Sequence, residues 1–259
     1  MLETRGLTVR FGGHVAVKDV SCSFLPGTLT AVVGPNGAGK TTYFNLISGQ
    51  IRPTSGQVFL NGHDLTQVPA SSRTRSGLAR AFQLTNLFAQ LTVLENVRLA
   101  VQASVAGAHR RGLNFWSIWS DHVHLVDRAR AILDSVSMSQ QENQRVATLP
   151  HGDQRKLEVA LLMALDAQVL MFDEPTAGMS HDEAPVILEL IRRLKKNANK
   201  TILLVEHKLD VVRELADRVI VLHNGALVAD GQPAEVMASP LVREAYLGSM
   251  PVREGGQST

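Results

Sequence analysis

Gly34-Pro35-Asn36-Gly37-Ala38-Gly39-Lys40-Thr41 is the stretch of this chain whose residue types and order most directly specify chemistry. It matches GxxxxGK[ST], directly after the apolar run Leu29 to Val33 and ahead of a helical pattern. Glycines at this spacing let successive backbone N–H groups turn inward on the α- and β-phosphates of a nucleotide. A helix predicted from Thr41 then points its positive end at the same phosphates, and Lys40 reaches toward the β/γ pair. The implied nucleotide-binding set is Gly34, Pro35, Asn36, Gly37, Ala38, Gly39, Lys40, Thr41 and Thr42, with the Thr41 hydroxyl placed to hold Mg²⁺.

A second element is Val169-Leu170-Met171-Phe172-Asp173-Glu174, an apolar strand ending in two adjacent carboxylates. Neighbouring residues on a strand point to opposite faces, so Asp173 can address a metal while Glu174 reaches an attacking water. Taken alone, a carboxylate pair after an apolar run is more often simply solvated. His207 follows the predicted strand Thr201 to Glu206 and could orient a γ-phosphate. A lone histidine is more often an ordinary surface or core residue.

These groups need a scaffold. Residues 1 to 62 read as strand-rich, with Asn61-Gly62 as a turn, and the pattern becomes helical from Thr85 to about Leu165, through Leu91, Val93, Leu94 and Val97 and then Val126, Ala129, Ile132 and Leu133. Strand character resumes at Val169 to Phe172. The apolar residues Ile187, Leu190, Ile191 and Leu194 then fall at i, i+3, i+4 and i+7 of a helix, and Ile202 to Val205 follows as a strand. Strands alternating with amphipathic helices imply right-handed crossovers, a mainly parallel sheet and ligand sites at the carboxyl ends of the strands. Asn224-Gly225, between two apolar runs, predicts a hairpin. The fold class is therefore α/β: a mainly parallel core sheet, N-terminal antiparallel strands and an inserted helical subdomain. The division is 1–84 and 166–250 for the nucleotide-binding core, 85–165 for the helical subdomain and 251–259 for a flexible tail. Arg110, Arg111, Phe115, Trp116 and Trp119 lie in the least readable part, as packing residues or a partner contact.

Composition bounds the rest. The chain has 259 residues, 44% of them hydrophobic, with 26 Lys and Arg against 24 Asp and Glu. That is an ordinary globular chain of one or two domains, without the field that would draw it onto nucleic acid or anionic lipid. A single cysteine, Cys22, and an N-terminus without the basic-then-apolar order of a secretory signal fit a reducing cytoplasm. No run of 18 apolar residues exists, so any membrane role must come through a partner.

Together these motifs resemble the ABC-transporter ATPases over nearly the whole chain. The resemblance implies a P-loop NTPase fold, ATP and Mg²⁺ as cofactors, and hydrolysis with Lys40, Gln83, Glu174 and His207 as catalytic residues and Thr41, Gln83 and Asp173 around the metal. Gln83, in Ala81-Phe82-Gln83, takes the place of a glutamine that touches both Mg²⁺ and the membrane subunit. Phe11, in Val9-Arg10-Phe11-Gly12-Gly13, takes that of the aromatic stacking on adenine, though packing is its other reading. The resemblance further implies a head-to-tail sandwich with a second ATPase, identical or sister, and permease subunits that hold the pair at the cytoplasmic face of the inner membrane.

The family's Leu-Ser-Gly-Gly-Gln signature corresponds here to Leu149-Pro150-His151-Gly152-Asp153. Pro150 supplies neither a hydroxyl nor an N–H to a γ-phosphate. Gly152 and Asp153, at the start of a helix predicted from Asp153, remain on the nucleotide-binding side, the helix dipole favouring an anion and the carboxylate partly offsetting it. One lost hydrogen bond to a charged group costs about 1.5–3 kcal/mol, which implies weaker closure. Ser180 stands where the family usually has Asp. Ala79-Arg80-Ala81-Phe82-Gln83, Leu91 to Val97, Ala177-Gly178-Met179 and Ala245-Tyr246-Leu247-Gly248 most resemble the ATPases of branched-chain amino acid importers. Urea or short-amide importers and the lipopolysaccharide-export ATPase share part of this pattern. Soluble ABC ATPases of DNA repair or translation are a different class, marked by long heptad coils or a second cassette that this sequence lacks.

Overall fold

Among the described residues six strands form the central sheet, in the order β10 (Ala226–Gly231), β9 (Arg218–His223), β3 (Leu29–Val33), β8 (Thr201–Val205), β7 (Val169–Asp173) and β6 (Leu78–Ala81). All neighbours run parallel except β10, which returns antiparallel on β9 through the predicted Asn224-Gly225 turn. The computed structural model describes residues 1–81, 87–109, 123–240 and 242. Gln83, the aromatic insertion at 110–119 and the 251–259 tail lie outside the described residues.

Every residue of β3, β7 and β8 is buried, as expected for parallel strands covered on both faces. Side-chain alternation divides the cover. Val32, Met171, Leu203 and Ile220 face a core shared with α1 (Lys40–Ser48) and with a second, antiparallel sheet. That sheet runs β2 (His14–Phe24), β1 (Leu2–Phe11), β4 (Ser55–Leu60), β5 (His63–Asp64), and it buries Leu2, Leu7, Val20, Phe24 and Val58 in this core. From the opposite face Leu29, Leu170, Phe172, Ile202 and Leu204 pack on α3 (Val93–His109), α4 (Val123–Ser135), α5 (His151–Leu165) and α6 (Ala184–Lys195). One contiguous apolar cluster thus joins these helices to the sheet. Ile187, Leu190 and Ile191 are buried on α6 as the spacing predicted.

Three predicted boundaries move. Helix α1 starts at Lys40, one residue before the predicted Thr41, behind Gly39 in a left-handed conformation. Helix α5 starts at His151 rather than Asp153, because Pro150 has the fixed φ of −56° and extended ψ suited to the position before a helix. Strand β8 ends at Val205, since Glu206 turns its carboxylate onto the following backbone.

The inner helix α1 is held at both ends. Its buried Tyr43 hydroxyl pairs with Thr4 Oγ1 of β1 at 2.7 Å. Its last turn is capped by Arg73, at the end of α2 (Ala70–Arg75), which is only 1% exposed. The Arg73 guanidinium donates to the carbonyls of Leu46 (2.9 Å), Ile47 (2.6 Å), Thr66 (2.9 Å) and Val68 (2.9 Å). Burial lowers its pKa to about 10. Carbonyls of a helix C-terminus otherwise lack partners. Arg73→Met keeps the apolar stem and removes all four donors, and it should lower the unfolding free energy by about 3 kcal/mol in a denaturant titration.

Candidate functional site

The order β3, β8, β7 sets three carboxyl ends side by side, with Val32, Val205 and Asp173 in one transverse row. The loop after β3 carries Gly34 to Gly39, the turn after β8 carries His207, and β7 ends on Asp173-Glu174. Three groups distant in sequence therefore share one edge.

The loop is narrow by construction. Gly34 has φ +148°, and a Cβ there would lie 2.1 Å from the carbonyl oxygen of Leu222. Lys40, buried at the first position of α1, donates from Nζ to the carbonyls of Gly34 (2.8 Å) and Pro35 (2.9 Å), closing the loop on itself. Burial holds the Lys40 ammonium below the usual lysine range, while the nearby Glu174 and Asp173 carboxylates act to raise it. Asn36 and Gly37 are exposed at the loop tip; Thr41 and Thr42 are half-buried on the first turn of α1. A brace that the sequence did not reveal comes from the β9–β10 turn: Gly225 N donates to Ala38 O at 3.1 Å, and Lys18 N of β2 donates to Gly225 O at 2.8 Å. Phe11, at the end of β1, is 50% exposed.

Asp173 is 6% exposed and accepts from Arg80 Nη2 at 2.5 Å through Oδ2. Burial lowers the Arg80 pKa, and the Asp173 carboxylate works against that shift. Glu174 leaves the strand by a route different from the expected one. It adopts φ +51° instead of continuing the pleat, while its N–H bonds Val205 O at 2.9 Å. The left-handed region is sparsely used by residues other than glycine and costs about 1–3 kcal/mol. Here it turns Glu174 Oε1 to within 2.7 Å of His207 Nε2, both side chains being 39% exposed. The acidic pair and the histidine thus form one constellation, which their separate weak signals did not establish.

Glu206 anchors the turn that presents His207. It is buried, and accepts from the Thr176 hydroxyl (2.5 Å) and from the backbone N–H groups of His207 (2.7 Å) and Lys208 (3.4 Å). Nothing in the sequence separates this carboxylate from a surface one, because its partner Thr176 comes from the loop after β7.

The N-terminus of α5 carries Gly152 and Asp153, with Pro150 preceding it and no side-chain cap. Lys156 Nζ pairs with Asp153 Oδ1 at 2.8 Å, so the offset to the helix dipole expected from that carboxylate is itself compensated. Ser180 takes part in a reciprocal capping box with Glu183, legible in the Ser-x-x-Glu spacing: Ser180 Oγ and N donate to Glu183 Oε2 (3.0 and 3.1 Å), and Glu183 N returns a bond to Oγ at 3.3 Å. The other Glu183 oxygen lies over Gly152, where a Cβ would meet it at 2.2 Å.

A phosphate-type loop after a central parallel strand, an acidic pair two strands away and a histidine from the strand between them define a P-loop nucleoside triphosphatase fold. Residues 17–177 match the family described as ABC transporter, and residues 226–250 match one described as branched-chain amino acid ATP-binding cassette transporter. The chain is 36% identical over 249 residues to the high-affinity branched-chain amino acid transport ATP-binding protein LivG of Escherichia coli, covering 96% of this chain and 98% of that one. It is 35% identical over 249 residues to BraF of Pseudomonas aeruginosa, with the same coverage. Among solved structures, the ADP conformation of an ATP-binding cassette of an ABC transporter superposes with a TM-score of 0.80 at 26% identity, covering 96% of this chain and 99% of that one. The chain belongs to the ABC transporter family, as one of its ATP-hydrolysing cassettes.

The Glu206 anchor is open to a direct test. Thr176→Val preserves shape and removes the hydroxyl donor, so thermal or denaturant unfolding should show a loss of about 2 kcal/mol, against about 1 kcal/mol for Ser180→Ala at the exposed cap.

Proposed function

We propose that this chain hydrolyses ATP to drive a branched-chain amino acid importer, bound to permease subunits at the cytoplasmic face of the inner membrane. The observation that carries the solute class is the match of residues 226–250, which lie outside the shared catalytic motifs, to the branched-chain amino acid cassettes. Among the described residues no helix is long and apolar enough to cross a membrane, so a transport role would be exerted through partner proteins.

In this reading the loop from Gly34 to Gly39, with Lys40, Thr41 and Thr42, binds the ATP phosphates, and Phe11 stacks on the adenine. Among the described residues no cluster of three or more His, Cys, Asp or Glu is arranged for a metal. The oxygen donors Thr41 and Asp173 nevertheless fit Mg²⁺, which is commonly held by one or two protein oxygens together with substrate phosphates. Bound there with Gln83, it would neutralise phosphate charge. Glu174 accepts the proton of the attacking water, and His207, hydrogen-bonded to Glu174, fixes that carboxylate and faces the γ-phosphate. Gly152 and Asp153, at the N-terminus of α5, close over the nucleotide of a second ATPase, a copy of this chain or a sister. The division into a core of 1–84 and 166–250, a helical subdomain at 85–165 and a tail at 251–259 belongs to the same proposal, with the Gln83 loop linking nucleotide to permease.

Glu174→Gln removes the base but preserves size, so ATPase turnover should fall at least about 100-fold with ATP affinity retained. Lys40→Ala should abolish ATP binding. The mass of Glu174→Gln protein, measured with and without Mg·ATP, should double on nucleotide addition; a monomer that binds ATP would reject self-association of this chain alone. For the solute, cells lacking the chain should lose energised uptake of labelled leucine, isoleucine and valine, and regain it with wild type but not with Glu174→Gln. Undiminished uptake of all three in the deletion would reject the importer assignment while leaving the ATPase reading intact.

A further inference from the structure

Arg80 is the one buried guanidinium of the described residues that meets the candidate metal-side carboxylate. The Arg80–Asp173 pair is 3% exposed on each side, and Nη2 of Arg80 meets Oδ2 of Asp173 at 2.5 Å. The other arm of the fork, Nη1, reaches Asn45 Oδ1 at 2.6 Å and Ser48 Oγ at 3.2 Å. Both acceptors lie on α1, at i+4 and i+7 from Thr41, and therefore on the helical stripe that begins with the Thr41 hydroxyl. Phe44, at i+3, lies under the guanidinium with its ring centroid 5.6 Å away. Arg80 itself is fixed by β6, where it pairs in register with Met171, two residues before Asp173.

We propose that Arg80 is a positioning residue for magnesium-dependent nucleotide binding. It ties the Asp173 carboxylate of β7 to the Thr41 stripe of α1, so that these two of the protein oxygens offered to the ion keep one separation and one orientation. The proposal rests on the reading of Thr41 and Asp173 as the oxygens nearest the metal. Stability alone is a poor account of such a pair, because a buried ion pair is generally no more stabilising than a well-packed apolar pair of the same volume. A planar fork that grips a carboxylate with one arm and a helix with the other has geometric value that a lone ammonium or an apolar side chain lacks. Asp173 takes its bond at Oδ2, and a carboxylate held through one oxygen has its second oxygen in a defined direction.

The experiment is a magnesium titration of fluorescent ADP binding to the full chain, in wild type, Arg80→Gln, Arg80→Lys and Asp173→Asn, with a parallel titration of ADP in EDTA. Partners one step removed from a metal commonly change its affinity 10- to 100-fold, so Arg80→Gln should raise the magnesium concentration for half-maximal binding about tenfold or more. Its metal-free ADP affinity should stay within about twofold of wild type, a split that a merely misfolded loop would not produce. Arg80→Lys retains charge next to Asp173 but cannot also span to Asn45 and Ser48, so it should show a shift of about threefold to fivefold. This second variant keeps the test decisive if Arg80→Gln does not accumulate as folded protein. Unchanged magnesium midpoints in the Arg80 variants, beside a large shift in Asp173→Asn, would overturn the role of Arg80 alone. An unchanged midpoint in Asp173→Asn would remove the metal-side reading of that carboxylate, and the proposal with it.

Discussion

Parallel pairing of β3, β8 and β7 is the constraint on which the rest of the molecule depends. In a parallel sheet all carboxyl ends emerge on one edge, so the loop after β3 meets an acidic pair and a histidine that lie more than a hundred residues further along the chain. Each strand is buried at every position, which leaves register specified by the packing of both faces rather than by alternation on one. Helices on one face and α1 with the small sheet on the other provide that packing. The site edge can then carry exposed polar loops without weakening the core.

That edge carries both backbone strain and polar anchoring. Glu174 sits in a left-handed conformation, Gly34 approaches the Leu222 carbonyl too closely for any side chain, and Lys40 and Asp173 are charged groups drawn into the interior. Each is compensated locally: Lys40 by two loop carbonyls, Asp173 by Arg80, and the His207 turn by the buried carboxylate of Glu206. Buried charges persist when paired and hydrogen-bonded, and leaving one partner alone is costly. The edge is anchored at its base by these contacts and exposed at the loop tip around Asn36 and Gly37.

Much of this architecture was legible in the residues because local rules carry it. The Gly-rich loop, the alternating strands and helices and the Asn224-Gly225 hairpin each have short-range signatures, and the sheet and hairpin follow them. Helix and strand ends shifted by one or two residues, as Pro150 and Gly39 impose conformations that apolar spacing does not encode. Arg80 and Glu206 carry no local signature for a different reason. Their importance lies in partners 93 and 30 residues away, Asp173 and Thr176, and no local pattern marks a charge whose solvent has been replaced by tertiary contacts. Glu174 departs from the strand alternation expected of the Asp173-Glu174 pair, since a backbone reversal turns it toward His207.

The bond from Gly225 N to Ala38 O, continued from Lys18 N to Gly225 O, fastens the phosphate loop to the β9–β10 turn and to β2 at once. Gly225 is also the residue immediately before the segment that matches the branched-chain amino acid cassettes. Local openings of a protein break such backbone bonds together rather than singly. Slow exchange of the Gly225 and Lys18 amide protons with solvent would therefore report the order of the phosphate loop from outside it.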